Sequence, residues 1–567
     1  MYEEIIAQLN PSPKFNLSWY KNEDLYSDGD VEDTIIRLIA ENEPEHYIDA
    51  IYDNFNWPTY YHLTHLRKNI LNWYDFKPGS SVLEIGCGLG AITSVLCEKC
   101  GDVTAVELSK RRATGALLRC REKENLEIIV GNLNDIEFEK KFDYITLIGV
   151  FEYQGSYTDS ENPYGDFLKK IKKLLKPDGK LLIAIENQYG LKYWCGALED
   201  HVGIPFEGMN QYITSKRGVR TFSKAALEKL VKDSGFQNTY FYYPMPDYKL
   251  PTVVYSERYL PKNENMQNLQ CYYTPDRSTL VADEKGMYRD IIENGVFEFF
   301  ANSFLVECSD CDEIGKMTFV SLASERKEAY QIATRFTDSG KVEKIALTDA
   351  CVKKHLRQIT ENEKAMRKNG VKVWESRWEN DKIVSDYLHE PLLEDKVLEA
   401  WQSGRSQEIY EVYDLLYSEI LKSSEQIGWE ENVLYSLGLE IEPDEEAYGP
   451  ILKVGYLDMI LRNAFCVGGE VYWFDQEWIL EGVPAKFVLF RGIAQLYGAY
   501  PELDDFFQIE ALLERYGIHQ VYEVFQNLER MFTGLIFDEK QFIESAVFRG
   551  GDRAACIENV KKILGLS

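Results

Sequence analysis

The spacing of apolar residues divides the chain into a helical start, a segment in which strands and helices alternate, and a mixed second half. Between residues 80 and 255, short apolar runs separated by amphipathic stretches predict five strands. These runs are Ser81–Ile85, Val103–Leu108, Leu126–Val130, Tyr144–Ile148 and Lys180–Ile185. Strands that alternate with helices form a parallel sheet covered on both faces, so this segment predicts a doubly wound α/β domain.

The other segments predict an N-terminal extension, a linker and a second domain, as expected for a chain of 567 residues. Residues 1–75 are aromatic-rich and helical, and we expect them to pack on the α/β domain at 76–260. The polar stretch 261–284 predicts a linker. Strands with one clear helix at 285–390, followed by mostly helical 391–567, predict an α+β domain of two lobes.

Composition and charge restrict the class of function. The chain is 45% hydrophobic, which excludes wholesale disorder, and its 63 basic and 93 acidic residues give a net charge of −30. Because nucleic-acid affinity depends on neutralising phosphates, this acidity disfavours a nucleic-acid partner. No stretch approaches the ~18 apolar residues of a membrane span, and the start of the chain has no secretory signal. We expect a soluble cytoplasmic protein.

A glycine-rich turn follows the first predicted strand, in Val82-Leu-Glu-Ile-Gly-Cys-Gly-Leu-Gly90. Gly86, Gly88 and Gly90 allow a sharp turn and the close approach of a ligand to the backbone. The helix that follows presents free N–H groups suited to a carboxylate or phosphate. Glu107 ends the next strand, 107 − 86 = 21 positions further on, where an acidic residue binds ribose hydroxyls. The combination predicts a nucleotide-type site.

At these residues the chain resembles the class I S-adenosylmethionine-dependent methyltransferases, over roughly residues 75–250. The motif reads ExGxGxG, with Glu84 before the first glycine, instead of the dinucleotide pattern GxGxxG. Later landmarks of the family follow in order at Gly131–Asp135, Phe142–Gly149 and Leu175–Lys180. The resemblance implies a Rossmann-like methyltransferase domain that binds S-adenosylmethionine.

The same resemblance implies roles for individual residues. Gly86, Gly88 and Gly90 border the methionine part of the cofactor, and Glu84 and Gly149 belong to the same binding site. Glu107 binds the ribose, and Asn132 or Asp135 lies near the adenine, although Asn132 departs from the commoner Asp.

A base for the methyl acceptor is not defined by the motifs. Glu152, His201 and the pair Glu186-Asn187 are candidates by position, and each is equally well explained as a structural hydrogen-bonding residue. An acceptor that is already anionic, such as a phosphate, needs no base.

A second group of polar residues predicts a phosphotransfer site. Asp458 is followed five positions later by Asn463, and Asp475 ends a predicted strand. Transfer of a phosphoryl group from ATP needs a carboxylate near the attacking hydroxyl and oxygen ligands for the metal. The pattern resembles protein-kinase-like folds, particularly small-molecule and sugar kinases, over roughly 285–567. It implies that Asp458 positions or deprotonates a hydroxyl, and that Asn463 and Asp475 bind Mg²⁺.

The kinase resemblance extends upstream. Lys344 lies on a predicted strand and Glu363 on a predicted helix, and in such kinases a paired lysine and glutamate orient the ATP phosphates. Arg335 on the preceding strand is the alternative phosphate-binding cation. The sequence departs from the family at 321–329, which has no glycine, and at Asp475-Gln-Glu, which replaces Asp-Phe-Gly.

The order of the two domains resembles the bifunctional kinase–methyltransferases that terminate bacterial surface polysaccharides. This resemblance implies ATP- and Mg²⁺-dependent phosphorylation of a glycan terminus, methylation of that phosphate, and peripheral association with a polysaccharide assembly complex. Lys192, Lys216, Arg217 and Arg220 are candidate cations for the new phosphate. The alternative is a methyltransferase of a small molecule, sugar hydroxyl or protein, joined to an inactive kinase-like binding module.

Overall fold

The computed structural model divides the chain into two compact units. The first contains Met1–Glu325, Arg335–Ser339 and Glu539–Ser567, and the second contains Arg326–Thr334 and Gly340–Asp538. None of the described helices is long and apolar enough to cross a membrane. The structure describes residues 2–24, 29–158, 160–215, 218–262, 271, 276–348, 350–438, 441, 443–537, 540 and 553–566.

Helices and strands alternate in the first part of the chain and mix less regularly in the second. Up to residue 325 the elements are α1 (Tyr2–Leu9), β1 (Lys14–Asn16), α2 (Val31–Glu41), α3 (Tyr47–Asp53), α4 (Trp57–Leu63), β2 (Ser81–Ile85), α5 (Ala91–Lys99), β3 (Asp102–Glu107), α6 (Lys110–Arg119), β4 (Leu126–Val130), β5 (Phe142–Ile148), α7 (Gln154–Tyr157), α8 (Pro163–Leu174), β6 (Leu175–Glu186), α9 (Leu191–Trp194), α10 (Lys224–Asp233), β7 (Asn238–Met245), β8 (Val253–Ser256), α11 (Glu284–Glu293), α12 (Phe297–Phe300), β9 (Ser303–Ser309) and β10 (Met317–Ala323). From residue 326 they are β11 (Ile332–Thr337), β12 (Lys341–Ala346), α13 (Ala350–Lys368), β13 (Ser376–Glu379), β14 (Lys382–Asp386), α14 (Leu393–Gln402), α15 (Ser406–Ser423), β15 (Gln426–Ile427), α16 (Val433–Ser436), α17 (Glu445–Tyr448), β16 (Ile451–Tyr456), β17 (Ala464–Val467), β18 (Glu470–Trp473), β19 (Ile479–Pro484), α18 (Ala485–Ala499), α19 (Ile509–Arg515), α20 (Tyr522–Ile536) and α21 (Arg553–Ile563).

A mixed sheet forms the centre of the first unit. Seven of its strands lie in the order β4-β3-β2-β5-β6-β9-β7. Strands β4, β3, β2, β5 and β6 are parallel, which confirms the predicted parallel sheet. Strand β6 differs most from its predicted bounds. It begins at Leu175 and not at Lys180, so Pro177-Asp-Gly179 lies within the strand. Its pairing with β5 shifts register between Phe142 and Tyr144, which accommodates the added residues.

Strand β9 changes the expected domain boundaries. It pairs antiparallel with both β6 and β7, and all seven of its residues, Ser303–Ser309, are buried. The segment expected to begin the second domain at 285 therefore completes the first sheet up to residue 325. An apolar strand carries no sequence signal for the strand it pairs with, which explains the difference. Of the expected linker 261–284, residues 263–270 and 272–275 lie outside the described residues.

The N-terminal helices share a core with the α/β elements. Ile35 and Ile36 of α2 and Leu63 of α4 pack in one buried cluster with Leu89 of the glycine-rich turn and Leu118 of α6. This packing places α4 beside the carboxyl ends of the parallel strands.

The second unit combines antiparallel strands with helices, which fits the expected α+β class. Strand β14 pairs antiparallel with β12 and β13, and β16 pairs antiparallel with β15 and β19. Strands β17 and β18 form a hairpin that turns at Gly468 and Gly469. The helix predicted to carry Glu363, which the sequence pattern places at 349–366, is α13 at Ala350–Lys368.

We predict that Phe304→Ala destabilises the first unit by about 3–5 kcal/mol, the usual cost of truncating a buried phenylalanine. Phe304 is fully buried in β9 and packs against Phe241 and Tyr243. Hydrogen exchange should show faster exchange in β6 and β7, whereas Phe299→Ala, at a half-exposed ring, should change little. Faster exchange confined to β16 and β19 would contradict the assignment of β9 to the first sheet.

Candidate functional site

A cavity of about 450 Å³ lies at the carboxyl ends of the parallel strands of the first unit. Each of the five strands contributes a residue to its lining at or just beyond its end: Gly86, Glu107, Gly131, Gly149 and Glu186. The chain changes direction across the sheet at β2, between β3 and β5, and ligands bind α/β sheets at such switch points. The volume fits a small organic molecule.

The glycine-rich turn requires glycine for two reasons. Gly86, Gly88 and Gly90 all have positive φ, at +75°, +53° and +84°, which other L-residues rarely adopt. A Cβ on Gly86 would lie 2.4 Å from a methyl carbon of Val150, and a Cβ on Gly90 would lie 2.8 Å from the Cα of Ala116. The turn leads into α5, whose first N–H groups face this end of the sheet.

Glu107 fastens the glycine turn to the neighbouring strand. Its Oε2 accepts the N–H of Gly88 at 2.8 Å, and its Oε1 accepts the N–H of Ser109 at 3.1 Å. The side chain is 5% exposed and lines the cavity. Each carboxylate oxygen can accept more than one hydrogen bond, so Glu107 keeps the capacity to bind a ligand hydroxyl.

Glu84 lies beneath the glycine turn and also lines the cavity. The hydroxyl of Thr93 donates to its Oε2 at 2.6 Å, and burial raises the pKa of Glu84 to about 7. Glu84 therefore ties β2 to α5.

The structure distinguishes the two adenine candidates. Asn132 lines the cavity and accepts the N–H of Asn134, at 2.9 Å, at the start of a short 3-10 helix. Asp135 is not among the described residues that line the cavity, and it pairs instead with Lys21 at 2.7 Å. Gly149 lines the cavity, and a Cβ there would lie 2.7 Å from the hydroxyl of Tyr248.

Three of the base candidates meet at the end of β6. His201 Nδ1 lies 2.8 Å from Glu199 Oε1, and its Nε2 lies 3.3 Å from Glu152 Oε1 and 3.6 Å from Glu186 Oε2. Burial lowers the pKa of His201, but the carboxylates of Glu186, Glu152 and Glu199 raise it well above its usual value. Asn187 does not join them, because its side chain donates to the carbonyls of residues 299 and 301.

The basic residues near this end of the cavity are already paired. Lys192 is 1% exposed and lies 2.8 Å from both Asp200 and Asp247. Lys249 contacts Glu186 and lies 3.0 Å from Asp200. The expectation that Lys192 holds a phosphate is therefore wrong, because two buried carboxylates neutralise its charge.

The other candidate cations give no support for a phosphate cradle. The guanidinium of Arg220 lies 5.1 Å above the ring of Phe222. Lys216 and Arg217 lie outside the described residues.

Sequence reasoning missed the aromatic wall of the cavity. Trp57 and Tyr61 of α4 line it, with their ring centres 5.9 Å apart, together with Tyr153 and Tyr157 from the segment after β5. The aromatic run Trp57-Pro-Thr-Tyr-Tyr61 was the available signal, but a run of this kind also occurs in ordinary cores.

Several of the residues predicted for phosphotransfer come together in the second unit. Lys344 Nζ lies 2.6 Å from Asp475 Oδ1 and 2.7 Å from Glu477 Oε1. Asp458 Oδ2 accepts the N–H groups of residues 477 and 478 at 3.0 Å each, and Asn463 donates to the carbonyl of Asp458 at 3.1 Å. Burial raises the pKa of Asp458 to about 7.

Glu477, which sequence reasoning missed, takes the place expected of Glu363. Glu363 accepts the hydroxyl of Ser376 and lies 3.5 Å from Arg367, whereas Lys344 forms its ion pairs with Asp475 and Glu477. Glu477 binds both Lys344 and Arg326, and these cations hold its pKa well below the usual value although burial raises it.

Arg335 is also not the phosphate-binding cation. It is 1% exposed, donates to the carbonyl of Trp73 at 2.7 Å, and pairs with Asp75 at 2.7 Å. These contacts belong to the first unit, where Arg335 is a structural residue.

Comparison with known proteins identifies the class of the first site. Residues 59–240 match the family described as "Methyltransferase domain". The chain is 31% identical over 124 residues to malonyl-[acyl-carrier protein] O-methyltransferase of Priestia megaterium, which is 22% of this chain and 42% of that protein. It is 35% identical over 116 residues to an uncharacterized methyltransferase of Staphylococcus carnosus, which is 20% of this chain and 52% of that protein. The chain thus spans about half the length of these curated relatives.

A solved structure was also matched. Phosphoethanolamine N-methyltransferase 2 of Haemonchus contortus, in complex with phosphomonomethylethanolamine and S-adenosylhomocysteine, aligns with a TM-score of 0.27 and 20% identity. The alignment covers 43% of this chain and 52% of that chain.

The family match, the strand order and the cavity together define the class. The chain contains a class I S-adenosylmethionine-dependent methyltransferase domain with a Rossmann-like fold.

We predict that Gly86→Ala destabilises the first unit more than Gly295→Ala does. Both residues have positive φ, so alanine at either costs about 1–3 kcal/mol of backbone strain. A Cβ on Gly86 also collides with Val150, which adds about 1–3 kcal/mol, whereas Gly295 has open space. Urea unfolding of the two variants measures the difference. Equal free energies of unfolding would show that Val150 does not constrain the turn.

Proposed function

We propose that the first unit transfers a methyl group from S-adenosylmethionine to an acceptor bound in the same cavity. The observation that carries the proposal is the position of Glu107, which fixes Gly88 and at the same time lines the cavity. The family match at 59–240 supports the same activity.

The lining residues fit the parts of this cofactor. The glycine turn and the start of α5 line the cavity, and the first N–H groups of α5 suit the methionine carboxylate. Glu107 suits the ribose hydroxyls, and Asn132 suits the adenine. The cofactor supplies a methyl group on a good leaving group, so the protein contributes mainly alignment and exclusion of water.

The acceptor end of the cavity favours an acceptor other than a bare phosphate. Glu152, Glu186 and Asp200 line this end, and Lys249 is shared between two of these carboxylates. A phosphate dianion placed there would meet these carboxylates, because Lys249 and His201 are already paired with them. Within the proposal, a hydroxyl-bearing small molecule or sugar is therefore favoured. Phosphate capping of a surface polysaccharide and association with its assembly complex remain predictions from resemblance, and the cytoplasmic location remains a prediction from the sequence.

A second candidate function, phosphotransfer from Mg²⁺-bound ATP, is favoured by one observation in the second unit. Lys344, Asp475 and Asp458 converge on one loop, and Asn463 adjoins Asp458. A lysine, a metal-binding aspartate, a catalytic aspartate and an asparagine are the parts that kinases bring together for this reaction. The alternative within this proposal is a non-catalytic module.

We predict that Glu107→Ala weakens S-adenosylmethionine binding by about ten- to a hundredfold. The loss combines the ribose contact with the released Gly88 N–H, and hydrogen bonds to charged groups contribute about 1.5–3 kcal/mol. Titration calorimetry measures the affinity. The control is Glu127→Ala, on the neighbouring β4, whose carboxylate binds Asn16 outside the cavity. Unchanged affinity in Glu107→Ala would refute the assignment of the cofactor site.

We predict that Asp475→Asn abolishes any Mg²⁺-dependent thermal stabilisation of the second unit by ATP. Asparagine tolerates the φ of +57° at this position, so the change removes the charge without straining the backbone. Asp381→Asn is the matched control, since Asp381 is an exposed aspartate with a φ of +61°. No stabilisation by ATP and Mg²⁺ in the wild-type protein would favour the non-catalytic module.

A further inference from the structure

Three carboxylates, those of Glu152, Glu186 and Glu199, surround the single imidazole of His201 at one end of the cavity, so negative charge is in excess there. Glu199 fixes the imidazole from behind, since its Oε1 lies 2.8 Å from Nδ1 and its Oε2 accepts the N–H groups of residues 201 and 202. Tyr212 also donates its hydroxyl to Glu199 at 2.8 Å. With a carboxylate held at Nδ1, this nitrogen keeps a proton, and Nε2 is the nitrogen that can exchange its proton for a metal ion.

Two carboxylates face Nε2 and are incompletely satisfied. Glu152 and Glu186 are 1% and 0% exposed, and among the described residues neither Glu152 Oε2 nor Glu186 Oε2 has a hydrogen-bond partner. Lys249 contacts Glu186 through its other oxygen, Oε1. A buried carboxylate oxygen without a partner is costly, so this point calls for a cation.

The distances favour a metal ion over a shared proton. Nε2 lies 3.3 Å from Glu152 Oε1 and 3.6 Å from Glu186 Oε2. Charge-assisted hydrogen bonds to carboxylates are shorter, at about 2.7–2.9 Å. Two ligands each about 2.1 Å from one ion, in a tetrahedral arrangement, lie about 3.4 Å apart, which is close to both observed separations.

We infer that Glu152, Glu186 and His201 bind a divalent cation beside the methyl-donor site. The three side chains offer ligand atoms within 4.8 Å of one another. Glu199 holds the ring as the outer carboxylate of a carboxylate–histidine–metal arrangement. One imidazole with two carboxylates suits an ion such as Zn²⁺.

The cation site indicates how the proposed methyltransferase cavity would bind its acceptor. All three ligands line the cavity, so an open coordination position faces the acceptor. An acceptor oxygen, such as that of a hydroxyl, would occupy it. This role for the ion rests on the proposed methyl transfer, whereas metal binding itself does not.

A neighbouring group of carboxylates does not offer a second site. Glu186, Asp200 and Asp247 also lie within 4.8 Å of one another. Lys192 and Lys249 already bridge them, at 2.8 Å and 3.0 Å from Asp200, and occupy the position that an ion would need.

The test is a titration of the chelator-treated full-length protein with ZnCl₂, with bound metal counted by elemental analysis. We expect His201→Gln and Glu186→Gln each to bind one equivalent less than the wild type. Glu199→Gln should weaken this site about ten- to a hundredfold, because an outer carboxylate only orients the ligand. The control is His519→Gln, an exposed histidine of the second unit, which should bind as the wild type does.

Two further measurements separate the possible failures. Circular dichroism verifies that each variant is folded. Where either His201→Gln or Glu186→Gln is unfolded, the metal content of the other variant tests the site. S-adenosylmethionine binding is measured on the same preparations. Equal Zn²⁺ stoichiometry in the wild type and both ligand variants, with cofactor binding intact, would overturn the cation site alone. Loss of one equivalent in the variants, with no cofactor binding in the wild type, would refute the methyltransferase proposal and leave the cation site standing.

Discussion

The geometry of the first unit depends on one carboxylate, that of Glu107. Adjacent parallel strands end at the same edge of a sheet, so the turn after β2 and the segment after β3 emerge side by side. Glu107 accepts one backbone N–H from each of them, at 2.8 Å and 3.1 Å. Without it, the half-buried N–H of Gly88 would lose its protein acceptor, in a turn that has left-handed backbone at three positions. The same side chain thus holds the cavity open and lines it.

The second constraint is the pairing of buried charge. Removing an ion from water costs several kcal/mol unless a partner compensates it, and Lys192 and Lys249 are fully used in this way by Asp200, Asp247 and Glu186. After this pairing the carboxylates around His201 remain in excess. This excess of negative charge determines what this end of the cavity can bind, because the lysines nearby are already paired. It disfavours a free phosphate and favours a cation.

Local sequence patterns predicted the parts of the fold that local chemistry determines. The glycine turn, Glu107 at the end of β3 and the helix α13 follow from strand periodicity and turn residues, and the structure has them. Contacts between distant segments were not predictable. Strand β9 pairs with β6 although more than a hundred residues separate them in the sequence, and an apolar strand has the same sequence pattern in any sheet. The cluster of Glu152, Glu186 and His201 likewise joins three separate segments.

Glu477 takes the position beside Lys344 that was expected of Glu363 on α13, and this pairing couples two parts of the second unit. In the expected arrangement, Lys344 would be held by α13, independently of the loop that carries the metal ligand. Here Lys344 is held by Glu477, two positions after Asp475, and contacts Asp475 as well. Any phosphate that binds Lys344 must compete with these two carboxylates or share the lysine with them, because all three are anionic. Within the phosphotransfer proposal, nucleotide binding and the position of Asp475 would therefore change together. A metal ion on Asp475 would favour phosphate binding by withdrawing one of the competing charges.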